Sequence, residues 1–222
     1  MTAAPATAAD RASIDDLTLA SLLSSRICHD LIGPVAALNN AIELFEGGGD
    51  ADFRAEAFRI LTEGGRSASS KLQFYRAAFG AGGSMGDEYE VDGLRRLLDG
   101  YLAGGKVSLE WEASVDGLPR DAGRLLLNLC LVAIESAGRG GLLRAGAMTQ
   151  NGAVNLIAMA EGRGAKLSER AQAILAEGDR AISAPLSPKE ASLLLTHRLA
   201  DALGVSVNFG QETDRVVVAA VL

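Results

Sequence analysis

Apolar residues between Leu17 and Phe45 recur at helical spacing. With Ile27 set at 0° and a helical turn of about 100° per residue, Ile27, Leu31, Val35, Leu38, Ile42 and Phe45 fall within roughly 0–80° of one another. A stripe that stays in phase over this length predicts one long helix, its apolar face turned to a core. Ser13 and Asp16 offer a capping box at its start, and Gly47-Gly48-Gly49 stops it. Thirty-odd residues span roughly 50 Å, a length usual for a bundle or coiled coil. Asp50 can cap a second helix that carries Phe53, Ala57, Leu61, Gly64, Ala68, Leu72, Tyr75 and Phe79 before Gly80, Gly82 and Gly83 end it. Two such helices make an antiparallel hairpin that cannot cover both of its apolar faces with itself. The expectation is a homodimeric four-helix bundle over residues 13–80, the alternative being that the rest of the chain folds back over the hairpin.

The pattern changes after a Gly-rich stretch at residues 81–86, read as a linker, as residues 1–12 are read as a flexible tail. From residue 87 to 222 a second domain is expected: helix 91–103, strand 107–113, a buried helix near 120–137, strands near 142–149 and 153–160, a weaker helix near 167–176, helix 188–203, and strands 205–209 and 214–221. Helices alternating with strands, several joined by short turns, predict an α/β sandwich with a largely antiparallel sheet. The fold class of the whole chain is therefore α+β.

Composition narrows the possibilities. Of 222 residues 48% are hydrophobic and 22% charged, which excludes disorder. The longest apolar run, Leu125 to Ile134, is too short to span a bilayer, and the first ten residues lack a signal peptide's basic and apolar segments, so a cytoplasmic protein without membrane contact is expected. A net charge of −7 repels phosphate backbones, which argues against nucleic acid and for protein partners. Cys28 and Cys130 have no metal-ligand spacing with His29 and His197; no metal site is expected, and both thiols read as reduced and structural.

Against this background His29 stands out. In Ser25-Arg26-Ile27-Cys28-His29-Asp30-Leu31-Ile32-Gly33-Pro34-Val35 it falls at about 200°, away from the apolar stripe and toward solvent. A solvated imidazole is a nucleophile near neutral pH, and Asp30 can orient it or assist as an acid or base. Leu22, Ser25, Ile32, Gly33, Ala36 and Asn40 share its face, with Arg26 slightly to one side, and form a candidate partner-binding surface. Gly33, one turn on, leaves room for a partner's approach, or is a tolerated helix defect. Pro34 removes a backbone donor and pushes against the Asp30 carbonyl, predicting a kink beside the histidine. His197 lacks an adjacent acid and reads as structural.

A long hairpin bearing His29-Asp30 with Pro34 five residues after the histidine, followed by this α/β order, resembles the two-domain core of sensor histidine kinases. That resemblance implies that His29 is phosphorylated, that Asp30 assists and that an ATP-binding domain follows. Yet the nucleotide motifs depart from the family. Val132 stands where an asparagine should hold magnesium, Ala160 replaces the aspartate that reads adenine ahead of Gly162 and Gly164, and Ala181 to Leu195, with Pro185 and Pro188, replaces the Gly-rich phosphate loop. A kinase-like chain with a degenerate ATPase domain resembles the histidine phosphotransferases of the alphaproteobacterial cell-cycle phosphorelay. The resemblance implies transfer from a hybrid kinase's receiver aspartate to His29 and on to response-regulator receivers, with no cofactor of its own and Mg2+ supplied by the receiver. Glu135 and Glu161, beside the degenerate motifs, are relics, solvated charges or a second receiver contact. Two rival readings remain open: a non-catalytic dimeric scaffold or kinase inhibitor, and an active histidine kinase.

Overall fold

The computed structural model describes residues 13–48, 50–80 and 87–222. The tail expected over residues 1–12 and the linker over 81–86 lie outside the described residues. Helix α1 (Asp16–Glu46) runs unbroken through Pro34 and pairs with α2 (Ala51–Phe79) in the expected hairpin. Asp50 caps α2 as its position predicts, accepting from the Phe53 N–H at 2.9 Å. The start of α1 differs from expectation: Asp15, not Ser13, is the N-cap, and it accepts from both the backbone N–H and the hydroxyl of Thr18 at 2.9 and 2.7 Å.

The remainder is an α/β layer. A five-stranded sheet has the order β2 (Val107–Ala113), β4 (Gly141–Gln150), β5 (Ala153–Glu161), β7 (Arg215–Val221) and β6 (Asn208–Glu212), antiparallel except for the parallel pair β2–β4. Asn151 and Gly152, at φ 54° and 81°, supply the left-handed turn that joins β4 to β5. A short antiparallel ladder of β1 (Glu88–Glu90) with β3 (Gly117–Pro119) was not legible, since three residues per strand carry no period. Strand β6 begins three residues later than expected because Gly204, at φ 69°, closes the preceding helix and returns the Val205 N–H to the Ala200 carbonyl at 2.9 Å.

Helices α3 (Val91–Leu102), α4 (Arg120–Ser136), α5 (Glu169–Glu177) and α6 (Pro188–Ala202) complete the layer. α4 is buried almost all round, with Leu125, Leu126, Leu127, Leu129 and Leu131 fully enclosed against one face of the sheet. That face alternates as a half-covered sheet should: Leu156, Ala158 and Ala160 point into the core while Ile157 faces out.

The two parts share one core. Leu19 of α1 and Phe74, Tyr75, Ala77 and Ala78 of α2 belong to the same cluster as α3, α4 and the sheet. The α/β layer therefore does fold back, but only over the open end of the hairpin. Toward the connecting turn Val35, Ile42, Phe53, Phe45 (48% exposed) and Phe58 (65% exposed) stay uncovered. Of the Ile27–Phe45 stripe, Ile27 packs against this chain's core while Val35, Ile42 and Phe45 stay exposed. The buried residues of α1, namely Leu19, Arg26 and Ala41, lie about 100° round the helix from it.

Asn128 fastens α2 to α4. Its amide donates to the Ala78 carbonyl at 2.9 Å, at the end of α2 where helical partners run out, and to Arg124 O at 2.8 Å. Asn128→Ala leaves a buried carbonyl without its donor and is expected to lower unfolding stability by about 1–3 kcal/mol in urea titration; an unchanged midpoint would show the bond to be dispensable.

Candidate functional site

His29 projects from the middle of α1 with 77% of its side chain exposed. Its neighbour Asp30 turns inward, toward α2. The reason is angular: adjacent helical residues differ by about 100°, so the residue beside an outward histidine reaches the hairpin seam. The ring Nδ1 lies 3.0 Å from one carboxylate oxygen, Oδ1 of Asp30.

The other oxygen of Asp30 is held from behind. Oδ2 accepts a short hydrogen bond from the Tyr75 hydroxyl of α2 and stands 3.5 Å from Nε of Arg26. Tyr75 Oη in turn lies 3.2 Å from the hydroxyl of Tyr101 on α3. Burial works against the charge of Asp30, but the hydrogen bonds from Tyr75 and His29, with the charges of Arg26 and Lys71 close by, outweigh it and hold the carboxyl below the ordinary aspartate value. Burial, aided by the coulombic influence of Tyr101, pushes the Tyr75 phenol well up, so it remains a proton donor.

An ionised carboxylate accepts only. Nδ1 of a neutral His29 must then carry the hydrogen, which leaves the lone pair on Nε2, the nitrogen farther from Asp30.

Pro34 has a structural consequence that its ring makes unavoidable. Without an N–H it cannot cap the Asp30 carbonyl four residues back, and Lys71 Nζ donates to that oxygen instead at 3.1 Å. Lys71 and Tyr75, one turn apart on α2, thus grip the backbone and the side chain of the same residue.

The expected partner surface divides. Ser25, Ile32, Gly33, Ala36 and Asn40 are exposed around His29, and a Cβ added at Gly33 would meet nothing within 4 Å. Leu22 is half-buried against the core, so it is at most an edge of that surface. Arg26 does not belong to it at all. It is 3% exposed, pairs closely with Glu135 of α4 and donates to Ser192 Oγ of α6 at 3.2 Å. Its angle put it slightly to one side of the His29 face, and at about 260° that side points into the junction of the hairpin with the α/β layer. Glu135 is accordingly an internal ion partner, and Glu161 pairs with Arg215 at 2.8 Å on the sheet's outer side. Cys28 is exposed, which corrects the reading of both thiols as structural, while Cys130 is buried. His197 is structural as expected: Nδ1 is 2.9 Å from Leu175 O.

Val132 and Ala160 are both core residues, 2% and 0% exposed. Of the stretch in place of the phosphate loop, Ala181 ends a 3-10 turn (Gly178–Ala181) and the residues from Pro188 on belong to α6, which packs on α1. Among the described residues no group of three or more His, Cys, Asp and Glu is arranged to hold a metal ion, and no helix is long and apolar enough to cross a membrane.

The fold defines a helical hairpin with an exposed histidine, joined through a common core to a mixed α/β layer. Residues 91–215 match the family described as "Histidine phosphotransferase C-terminal domain", and the chain belongs to that family. Over 132 residues it is 40% identical to the protein phosphotransferase ChpT of Brucella abortus (strain 2308), a match that takes in 59% of this chain and 61% of that relative. The chain thus aligns with less than two thirds of the relative's length. A 1.7 Å structure of a bacterial phosphotransferase superposes on 95% of this chain and 98% of its own with a TM-score of 0.80 and 28% identity. The histidine kinase AdeS of Acinetobacter baumannii superposes more loosely, on 87% and 96%, at 13% identity and a TM-score of 0.45.

The state of Asp30 links stability to pH. Its folded carboxyl binds a proton less readily than the unfolded one, so in the window below 3.8 the unfolded chain takes up more protons and stability falls as pH falls. Urea unfolding of wild type and Asp30→Asn at neutral pH and below 3.8 is expected to show a smaller acid loss in the variant. Equal losses would mean that Asp30 titrates alike in both states.

Proposed function

We propose that the chain is a phosphorelay intermediate in which His29 is the phosphoacceptor. A receiver domain of a hybrid histidine kinase brings a phospho-aspartate to the exposed imidazole, and His29 then passes the group to the receiver aspartate of a response regulator. The observation that carries this reading is the pairing of Nδ1 with a fixed, ionised Asp30, which leaves Nε2 in solvent with its lone pair free. As the N–P bond forms at Nε2, the P–O bond of the acyl phosphate breaks and its electron pair leaves with the receiver carboxylate. Positive charge develops on the ring, and Asp30 beside Nδ1–H balances it. Reversal of the same steps unloads His29. Both acyl phosphate and phosphohistidine are energy-rich, so positioning and charge neutralisation suffice.

Nucleotide has no part in this proposal, a reading supported by hydrocarbon at Val132 and Ala160 and by a helix in place of a phosphate loop. The receiver's own acidic pocket brings the Mg2+ that the phosphoryl oxygens need. Small or apolar neighbours such as Gly33, Ala36 and Ile32 suit a docking face for a receiver helix, and the protein is placed in the cytoplasm with its partners. Incubation with a panel of phosphorylated receiver domains is expected to label wild type and not His29→Ala. Label acquired from MgATP alone, or from no receiver at all, would overturn the reading.

A second copy of the chain is proposed to cover the stripe of Val35, Ile42, Phe45 and Phe58, completing a four-helix bundle. Light scattering should give wild type about twice the chain mass of 23.0 kDa and Phe45→Asp the monomer mass. A monomeric wild type contradicts it.

A further inference from the structure

The geometry points to Tyr75, seated by Tyr101 of α3, as the positioning residue that fixes the Asp30 carboxylate on His29 and so selects the ring nitrogen that attacks. The inference rests on the reading of His29 as the phosphoacceptor and extends it to a residue of the α/β layer.

A phenol has one hydrogen. Tyr75 gives its hydrogen to Asp30 Oδ2, so at 3.2 Å from Tyr101 it can only accept, and Tyr101 is the donor. The hydrogens therefore all run one way, from Tyr101 to Tyr75, from Tyr75 to Asp30, and from the far side His29 Nδ1–H to Asp30 Oδ1. Each bond is satisfied only while Asp30 is an anion. Arg26 could hold the charge of Asp30 but not its direction, since it stands 3.5 Å away and its closer hydrogen bonds go to Glu135 and Ser192. Lys71 holds the backbone carbonyl rather than the carboxylate.

Both phenols are kept in place by ring packing. Tyr75 is 1% exposed, stacks on Phe79 at 5.0 Å between centroids and meets Tyr101 edge-on at 5.7 Å, while Phe74 lies 4.3 Å from Tyr101. Because Tyr101 belongs to α3, the α/β layer takes part in aiming the imidazole. The groups that face Asp30 are His29 and Arg26 on α1, Lys71 and Tyr75 on α2 and Tyr101 on α3, with Glu135 of α4 behind Arg26. Of these, Tyr75 is the neutral one that bonds the carboxylate directly from inside.

Tyr75→Phe and Tyr101→Phe keep the rings and remove one hydroxyl each, and the full-length chain is used throughout. Nitrogen NMR of His29 is expected to report mainly Nδ1–H in wild type and a mixture of both tautomers in Tyr75→Phe. The Asp30 carboxyl should titrate about one unit higher in that variant. Tyr101→Phe should move both readouts the same way by less. Phosphotransfer from a phosphorylated receiver is expected to slow about tenfold to a hundredfold in Tyr75→Phe, its acid limb moving up with the Asp30 titration while thermal unfolding stays cooperative. A merely structural tyrosine would lower thermal stability and leave tautomer, titration and pH profile unchanged, and that result would overturn the proposal. A wild type that transfers nothing, yet shows the tautomer and titration shifts in Tyr75→Phe, would sink the phosphoacceptor reading and leave the positioning standing.

Discussion

Arg26 sits where every element that frames His29 comes together. Its guanidinium is almost wholly buried, and a buried charge persists only if it is paired and hydrogen-bonded. Those partners come from three directions: Asp30 one turn along α1, Glu135 on α4 and Ser192 on α6. Such an arrangement adds little net stability over a hydrocarbon filling, but it fixes geometry, since removing Glu135 would leave the buried guanidinium without its close ion partner. The open end of the hairpin is thereby held against the α/β layer, with α6 alongside α1. A second clasp acts nearer the chain start, where Asp179 accepts from Ile14 N–H at 2.9 Å and pairs with Arg198 at the same distance. His29 lies about 60° round α1 from Arg26 and stays exposed while Arg26 and Asp30 are held.

That division of labour explains the hydrocarbon in the degenerate motifs. Val132 on α4 and Ala160 on β5 are core residues where that helix packs on the sheet. A polar side chain at either position would be buried and would need a hydrogen-bond partner there.

Much of this was legible in the sequence. The 3.6-residue period gave the hairpin to within a few residues, and the outward angle of His29 followed from the same arithmetic that placed the apolar stripe. The same period marked the stripe as apolar, but periodicity does not say what covers it. Arg26 sits at an angle between the two faces, where angle alone does not say whether a long side chain turns to solvent or to the core. Lys71, Tyr75 and Tyr101 were missed because they reach Asp30 from 41, 45 and 71 residues away in the chain, by contacts that no local pattern encodes. One signal was available: Pro34 deprives the Asp30 carbonyl of its helical donor, so some donor had to come from the facing helix, and Lys71 is the cation on the α2 face that meets it.

The central claim is that Nε2 of His29 carries the phosphoryl group and that other proteins, not ATP, supply it. Phosphorus and nitrogen NMR of the full-length chain tests both parts at once. After mixing with a phosphorylated receiver domain, one phosphoramidate signal coupled to Nε2 of His29 is expected, and none after MgATP alone. A signal on Nδ1, on another residue, or from MgATP without a receiver would contradict the account.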